Sequence, residues 1–107
     1  MELTEGPRTR LEAAEGPDGA LVLAFAGELD LAGLPGIEGQ LAELLTHPPR
    51  PVVLDLEDLE FLDSSGISVL VRIANHFGDV RTRAATTPVR RVIQVLGLAE
   101  HFGLDGA

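Results

Sequence analysis

The sequence of 107 residues contains no cysteine, no tryptophan and no tyrosine. Without cysteine the chain has no disulfide framework, no thiol nucleophile and no thiolate metal site, which suits a reducing compartment. Phenylalanine is the only aromatic residue and occurs four times, so a folded core must consist mainly of Leu, Val, Ile and Ala. This composition is typical of a layered α/β domain.

Lysine is also absent, and all eight basic residues are arginine. The formal net charge of −9 repels a phosphate backbone, so we expect no direct contact with nucleic acid. A basic protein surface is the better electrostatic match for this chain. The absence of lysine also excludes a P-loop nucleotide site, because that site requires a lysine side chain.

No run of 18 uncharged apolar residues occurs, and residues 1–11 mix Glu and Arg without the apolar segment of a secretory signal. The sequence therefore predicts no membrane insertion and a cytoplasmic location. A chain of 107 residues is long enough for one hydrophobic core but not for a second module. Residues 1–107 are accordingly predicted to form a single domain.

Strand-like and helix-like spacings of apolar residues follow one another along the chain. Strands are predicted at residues 11–14, 21–26, 52–56 and 80–85, with a Gly- and Pro-containing turn at 16–19 between the first two. Helices are predicted at about residues 34–45, 64–76 and 88–96, with one further helical turn at 98–102. An N-terminal hairpin followed by two strand–helix–strand crossovers indicates an α/β fold with a mixed, mainly parallel four-stranded sheet and three to four helices.

Four of these elements carry more specific predictions. The first helix has several glycines and a proline in its first half, so its start is expected to be weak. The third strand is β-branched and apolar, which is typical of a central strand with both faces covered. The fourth strand places Arg81 and Arg83 at alternate positions, which indicates an edge strand with one hydrated face. Thr87 followed by Pro88 is predicted to cap and begin the last helix.

The segment LEFLDSSG at residues 59–66 joins the third strand to the second helix. Asp63, Ser64 and Ser65 are predicted at the strand-to-helix turn, where their side chains accept hydrogen bonds from the N–H groups of the first helical turn. Asp30 follows the second strand, and the ends of neighbouring parallel strands meet at one edge of a sheet. The sequence therefore predicts an acidic surface site that carries two hydroxyl groups.

These segments resemble those of a known family. VVLDLEDLEFLDSSGISVLV at 52–71, GELD at 27–30 and TPVRRVIQVLGL at 87–98 are similar to segments of STAS domains, specifically those of bacterial anti-sigma factor antagonists (anti-anti-sigma factors). The resemblance covers roughly residues 11–102, and the order of the three segments makes it more specific than DSSG alone. It implies a single STAS-like domain with its core at about residues 11–102.

The resemblance also implies a function. The second serine of DSSG, Ser65, would be phosphorylated by an anti-sigma factor that is also a serine kinase, with Ser64 as the less favoured acceptor. The unphosphorylated protein would bind this kinase and free a sigma factor, and a PP2C-type phosphatase would remove the phosphate. Asp30, Asp63, Ser64, Ser65 and Gly66 would then form the partner-binding site.

Plainer roles for these residues stay open. Asp63 and the two serines form a good helix cap by themselves, and Asp30 caps the first helix in addition to any partner contact. Gly66 either admits a partner closely or fits a tight corner. Asp55 either points to the same edge or is a buried, paired carboxylate, and the pair at 90–91 is expected on the solvated face of its helix.

No enzymatic activity is predicted, because the G-x-S-x-G pattern of a hydrolase nucleophile elbow is missing. The three histidines lack the spacing of metal ligands, and nothing in the sequence predicts a cofactor. Two alternative functions remain: a scaffold STAS subunit of a signalling assembly, or the small STAS subunit of a lipid or anion transport complex.

Overall fold

The computed structural model describes residues 8–104. Its helices and strands, in chain order, are β1 (Thr9–Glu15), β2 (Leu21–Leu29), α1 (Glu38–Leu44), β3 (Val52–Leu62), α2 (Ser64–Phe77), β4 (Val80–Arg83) and α3 (Thr87–Val95). Short 3₁₀ turns at Pro17–Gly19 and Leu34–Gly36 precede β2 and α1.

The four strands form one sheet in the order β1-β2-β3-β4. β1 and β2 form an antiparallel hairpin, whereas β2, β3 and β4 run parallel to one another. The predicted α/β fold, with a mixed and mainly parallel sheet and an N-terminal hairpin, is therefore confirmed. Because β2 and β3 are parallel, Leu29 pairs with Leu62 at one end of the sheet, and α2 begins at that same end.

The hydrophobic core covers one face of the sheet. Val52, Leu54 and Leu56 of β3 are at most 1% exposed, whereas Val53 and Asp55, which alternate with them, are only half-buried. α2 contributes a stripe of seven buried residues: Gly66, Ile67, Val69, Leu70, Ile73, Ala74 and Phe77. The prediction that both faces of β3 are covered is wrong, because the acidic residues of this strand keep its second face hydrated.

Both β2 and β3 are longer than the sequence predicts. β2 continues to Leu29 rather than residue 26, and β3 continues to Leu62 rather than residue 56. The register between these two strands shifts twice, so apolar and polar residues do not alternate strictly along β3. An irregular pairing of this kind hides a strand from a period-two pattern. Residues 59–62 therefore belong to the strand, and only Asp63 separates it from α2.

The last strand and helix also differ in detail from the prediction. β4 lies at the edge of the sheet as expected, but it ends at Arg83 because Ala84 adopts a left-handed φ of 60°. α3 begins at Thr87, so the N-cap residue is Thr86 rather than Thr87, and Pro88 is the second helical residue.

The helices are short. α1 begins only at Glu38, because Pro35 and Gly36 lie in the preceding 3₁₀ turn, so the predicted weak start of this helix is confirmed. α2 is the longest, with 14 residues. Within residues 8–104, no helix combines the length and the apolar character needed to cross a membrane.

Candidate functional site

The candidate site lies where β2 and β3 end, and Asp63 connects these two strand ends. Its backbone is extended, and its side-chain Oδ1 accepts a hydrogen bond from the Gly66 N–H at 3.0 Å, which makes it the N-cap of α2 as predicted. The other oxygen, Oδ2, accepts from the backbone N–H of Leu31 at 3.2 Å. One carboxylate therefore ties the first turn of α2 to the loop after β2, and the predicted proximity of the two strand ends is confirmed.

Ser64 and Ser65 occupy the first two positions of α2. Ser64 is exposed and Ser65 is half-buried. Neither hydroxyl forms a hydrogen bond with another residue in the range 8–104, so the expectation that the serines themselves cap the helix is wrong. Asp63 already satisfies the Gly66 N–H, which leaves both hydroxyl groups available at the surface.

The strand-to-helix turn at residues 63–66, which we call the corner, contains Gly66 in its interior rather than on its surface. It is buried, and a Cβ atom added there would lie 2.1 Å from the Leu29 carbonyl oxygen and 3.1 Å from the Leu29 Cγ. The same carbonyl accepts a hydrogen bond from the Asp63 N–H at 3.3 Å. Of the two roles considered for Gly66, the structure supports the tight corner.

Asp30 is held by Arg8, a residue just before β1 that the sequence analysis did not place in the site. The Arg8 Nε lies 3.1 Å from both carboxylate oxygens of Asp30, and its Nη2 lies 3.0 Å from Oδ2. The same Nη2 contacts Glu28 at 3.0 Å. Asp30 Oδ1 also accepts from the Gly33 N–H at 2.9 Å, so Asp30 closes the turn after β2, whereas the N-cap residue of α1 is Ile37.

This pairing changes the charge expected at the site. Hydrogen bonds from Arg8, followed by the backbone bond from Gly33, lower the pKa of the Asp30 carboxyl, and burial opposes them only in part. Asp30 is only 7% exposed, so its negative charge is compensated inside the structure. The site is consequently less acidic on the β2 side than the sequence predicts. Asp63 and the exposed Glu60 supply the negative charge nearest the two serines along the chain.

Other residues considered from the sequence lie outside the site. Asp55 forms an ion pair with Arg83 at 3.0 Å and accepts from the Glu57 N–H at 3.1 Å, which fits the paired-carboxylate alternative. On α3, Arg91 is exposed and Arg90 is half-buried. Within residues 8–104 no three His, Cys, Asp or Glu side chains are grouped closely enough to hold a metal ion.

The corner is suited to carrying an anion on a serine. The first N–H groups of a helix have no acceptor within the helix, and the helix dipole favours negative charge at this end. Esterification of Ser64 or Ser65 breaks no side-chain hydrogen bond to the described residues. Negative charge is therefore favoured at the start of α2.

Substitution of Gly66 tests the tight corner. The Gly66→Ala variant should lose about 1–3 kcal/mol of unfolding free energy, because its methyl group would overlap the Leu29 carbonyl. The matched control is Gly39→Ala within α1, where an added Cβ meets nothing within 4 Å, and it should gain up to about 1 kcal/mol from helix propensity. Chemical denaturation measures both, and equal stability of the Gly66→Ala variant and wild type would contradict the proposed packing.

The pair of Arg8 and Asp30 predicts a defined pH dependence. The pKa of Asp30 is lowered in the folded state, so the stability this pair adds is complete above the ordinary pKa of about 3.9 and is lost as the pH falls through the lowered value. The stability difference between wild type and Arg8→Ala should therefore close on acidification.

An NMR titration of the Asp30 carboxyl should show a higher pKa in Arg8→Ala than in wild type. Arg10→Ala, which removes the next exposed arginine of β1, is the control and should leave the titration unchanged. An Asp30 pKa that is the same in wild type and Arg8→Ala would disprove the pairing.

Comparisons with known proteins show the family and the fold of this chain. A family model described as "Mlab, STAS domain" matches residues 12–104. The anti-sigma-F factor antagonist RsfB of Mycobacterium tuberculosis is 33% identical over 92 residues, which cover 81% of this chain and 74% of RsfB.

Two solved structures share the fold. The crystal structure of an anti-sigma factor antagonist from Mycobacterium paratuberculosis is 25% identical with a TM-score of 0.72, covering 98% of this chain and 92% of that one. Bacillus SpoIIAA in its phosphorylated form is 18% identical with a TM-score of 0.63, covering 92% of this chain and 91% of that one, and it shows the fold alone. The family match and the RsfB relationship together show that this chain belongs to the STAS-domain family, among the relatives of the anti-sigma factor antagonists.

Proposed function

We propose that this protein is an anti-sigma factor antagonist controlled by phosphorylation of Ser65. In its unphosphorylated form it binds an anti-sigma factor with serine kinase activity and thereby frees a sigma factor. Phosphorylation by that kinase ends the interaction, and a PP2C-type phosphatase restores it in the cytoplasm. The observation that carries the proposal is the pair of unbonded serine hydroxyls at the start of α2, in a chain related to RsfB.

The position of Ser65 explains why the fold tolerates the phosphate. Its hydroxyl makes no hydrogen bond to the described residues, so its modification breaks no hydrogen bond within residues 8–104. The helix N-terminus favours an anion by about 0.3–1 kcal/mol at an exposed site. Both effects leave the free protein folded after modification.

The phosphate has a larger effect on the binding of a partner than on the stability of the free protein. The group adds about −1.5 to −2 charges at neutral pH, next to Asp63. Two unit charges about 6 Å apart repel each other by roughly 3 kcal/mol at an effective dielectric of about 20, before salt screening reduces the value. A partner packed onto the corner would have to remove water from this charge. Because about 1.4 kcal/mol corresponds to a tenfold change in affinity, the combined cost is large enough to switch a moderate interaction off.

The choice of Ser65 over Ser64 rests on the family resemblance rather than on exposure. Ser64 is the more exposed of the two, which favours access by a kinase, whereas Ser65 is half-buried beside the Gly66 corner.

Phosphorylation with purified anti-sigma factor kinases of the source organism tests the proposal. Incubation with ATP and magnesium should add one phosphate to wild type and to Ser64→Ala, and none to Ser65→Ala, as measured by intact-mass and fragment mass spectrometry. The Ser65→Asp variant should bind the kinase about 10- to 100-fold more weakly than wild type, since an added charge at this position costs roughly 1.4–2.8 kcal/mol.

The possible failures have distinct meanings. If Ser64→Ala alone blocks modification, the acceptor assignment is wrong but the switch remains. If no kinase modifies the wild type and Ser65→Asp binds as tightly as wild type, the scaffold function replaces the proposal. Co-purification with the membrane subunits of a lipid or anion transporter would support the third function instead.

A further inference from the structure

Two large apolar side chains remain in solvent at the corner. Phe61 is 51% exposed and Leu31 is 70% exposed. The other three phenylalanines of this chain, Phe25, Phe77 and Phe102, are at most 4% exposed. A chain with few aromatic residues thus uses all but one of them for its core, and the remaining one lies on the surface.

Both exposed residues are linked to Asp63, the residue that immediately precedes the two serines. The Leu31 N–H donates to Asp63 Oδ2 at 3.2 Å, which fixes Leu31 beside the start of α2. Phe61 lies in extended β3 two residues before Asp63, so the two Cα atoms are about 7 Å apart. Leu31 thus follows the end of β2, Phe61 lies near the end of β3, and we call these two residues the apolar ridge.

Exposed acidic residues precede Phe61 along β3. Glu57, Asp58 and Glu60 are exposed along the same strand as Phe61, and Asp63 is half-buried next to it. Arg8 is engaged with Asp30 and Glu28, so it compensates these two acids rather than the ones on β3. An apolar centre with an acidic border is complementary to an apolar pocket with an Arg- or Lys-bearing rim.

We propose that the apolar ridge is the anchor of the partner interface: Leu31 and Phe61 insert into an apolar pocket of the anti-sigma factor kinase, and basic residues at the rim of that pocket face Glu57, Asp58 and Glu60. This inference rests on the proposed function and adds the residues and the chemistry of the contact. Aromatic side chains at the centre of an interface are typical energetic hot spots. The acids of β3 increase the association rate through long-range attraction.

The ridge also explains how one phosphate ends the interaction. Asp63 immediately precedes the two serines, bonds to the Leu31 N–H and follows Phe61 by two residues, so a partner that covers both ridge residues would also face a phosphate on Ser65. The added charge thus prevents the partner from burying Leu31 and Phe61, although the phosphate does not contact these two side chains. No change of backbone structure is required for this effect.

Binding of the same purified kinases, measured by calorimetry without ATP, tests the ridge. Leu31→Ala and Phe61→Ala should each weaken binding about tenfold or more, because truncation of a hot-spot residue costs at least that factor. The matched controls are Leu96→Ala and Val95→Ala, since these residues are 54% and 77% exposed at the end of α3. α3 has nine residues and is about 13 Å long, and Val95 and Leu96 lie at its C-terminal end. The controls should bind within twofold of wild type, and all four variants should unfold at the wild-type temperature.

The other possible results of this binding experiment lead to distinct conclusions. Tight wild-type binding that neither ridge variant weakens overturns the ridge and leaves the proposed function intact. Weakening by the α3 variants instead would move the docking surface to α3. A wild-type affinity that does not fall with added salt contradicts the basic rim. If no kinase binds the wild type, the proposed function fails and the ridge fails with it.

Discussion

The carboxylate of Asp63 determines the geometry on which the rest of the site depends. One of its oxygens accepts from the Gly66 N–H within α2, and the other accepts from the Leu31 N–H after β2. Because both oxygens are used within the fold, the start of the helix and the neighbouring loop are fixed relative to each other. The Leu29 carbonyl fills the space where a side chain at Gly66 would lie. The two serine hydroxyls remain outside this network and are available for chemistry.

The two aspartates of the corner have separate roles. Asp30 is buried against Arg8 and closes the turn after β2, so its charge is balanced within the protein. Asp63 is half-buried and has no arginine partner within residues 8–104, so its charge acts on any anion added to the adjacent serines. The corner thus holds one carboxylate paired with an arginine and one bonded only to backbone N–H groups among the described residues. Glu57, Asp58 and Glu60 add exposed negative charge along β3.

Structural features that depend on residues close together in the sequence could be predicted from the sequence. The Asp63 cap follows from a short polar residue before a helical apolar stripe, and the edge position of β4 follows from its alternating arginines. The sequence did not reveal the pairing of Arg8 with Asp30, because the two residues are 22 positions apart and meet only when β1 pairs with β2. Periodicity also assigns apolar residues to the core, so it could not indicate that Phe61 is exposed. The length of β3 was missed because its register shifts break the alternation.

The central claim is that a phosphate on Ser65 leaves the fold intact and prevents docking. The most direct measurement uses one sample, fully phosphorylated at Ser65, for both thermal unfolding and titration with the kinase. The account predicts an unfolding temperature within a few degrees of the unmodified protein and an affinity at least about tenfold weaker. A phosphorylated protein that binds as tightly as the unmodified one, or that unfolds at a much lower temperature, would contradict the account.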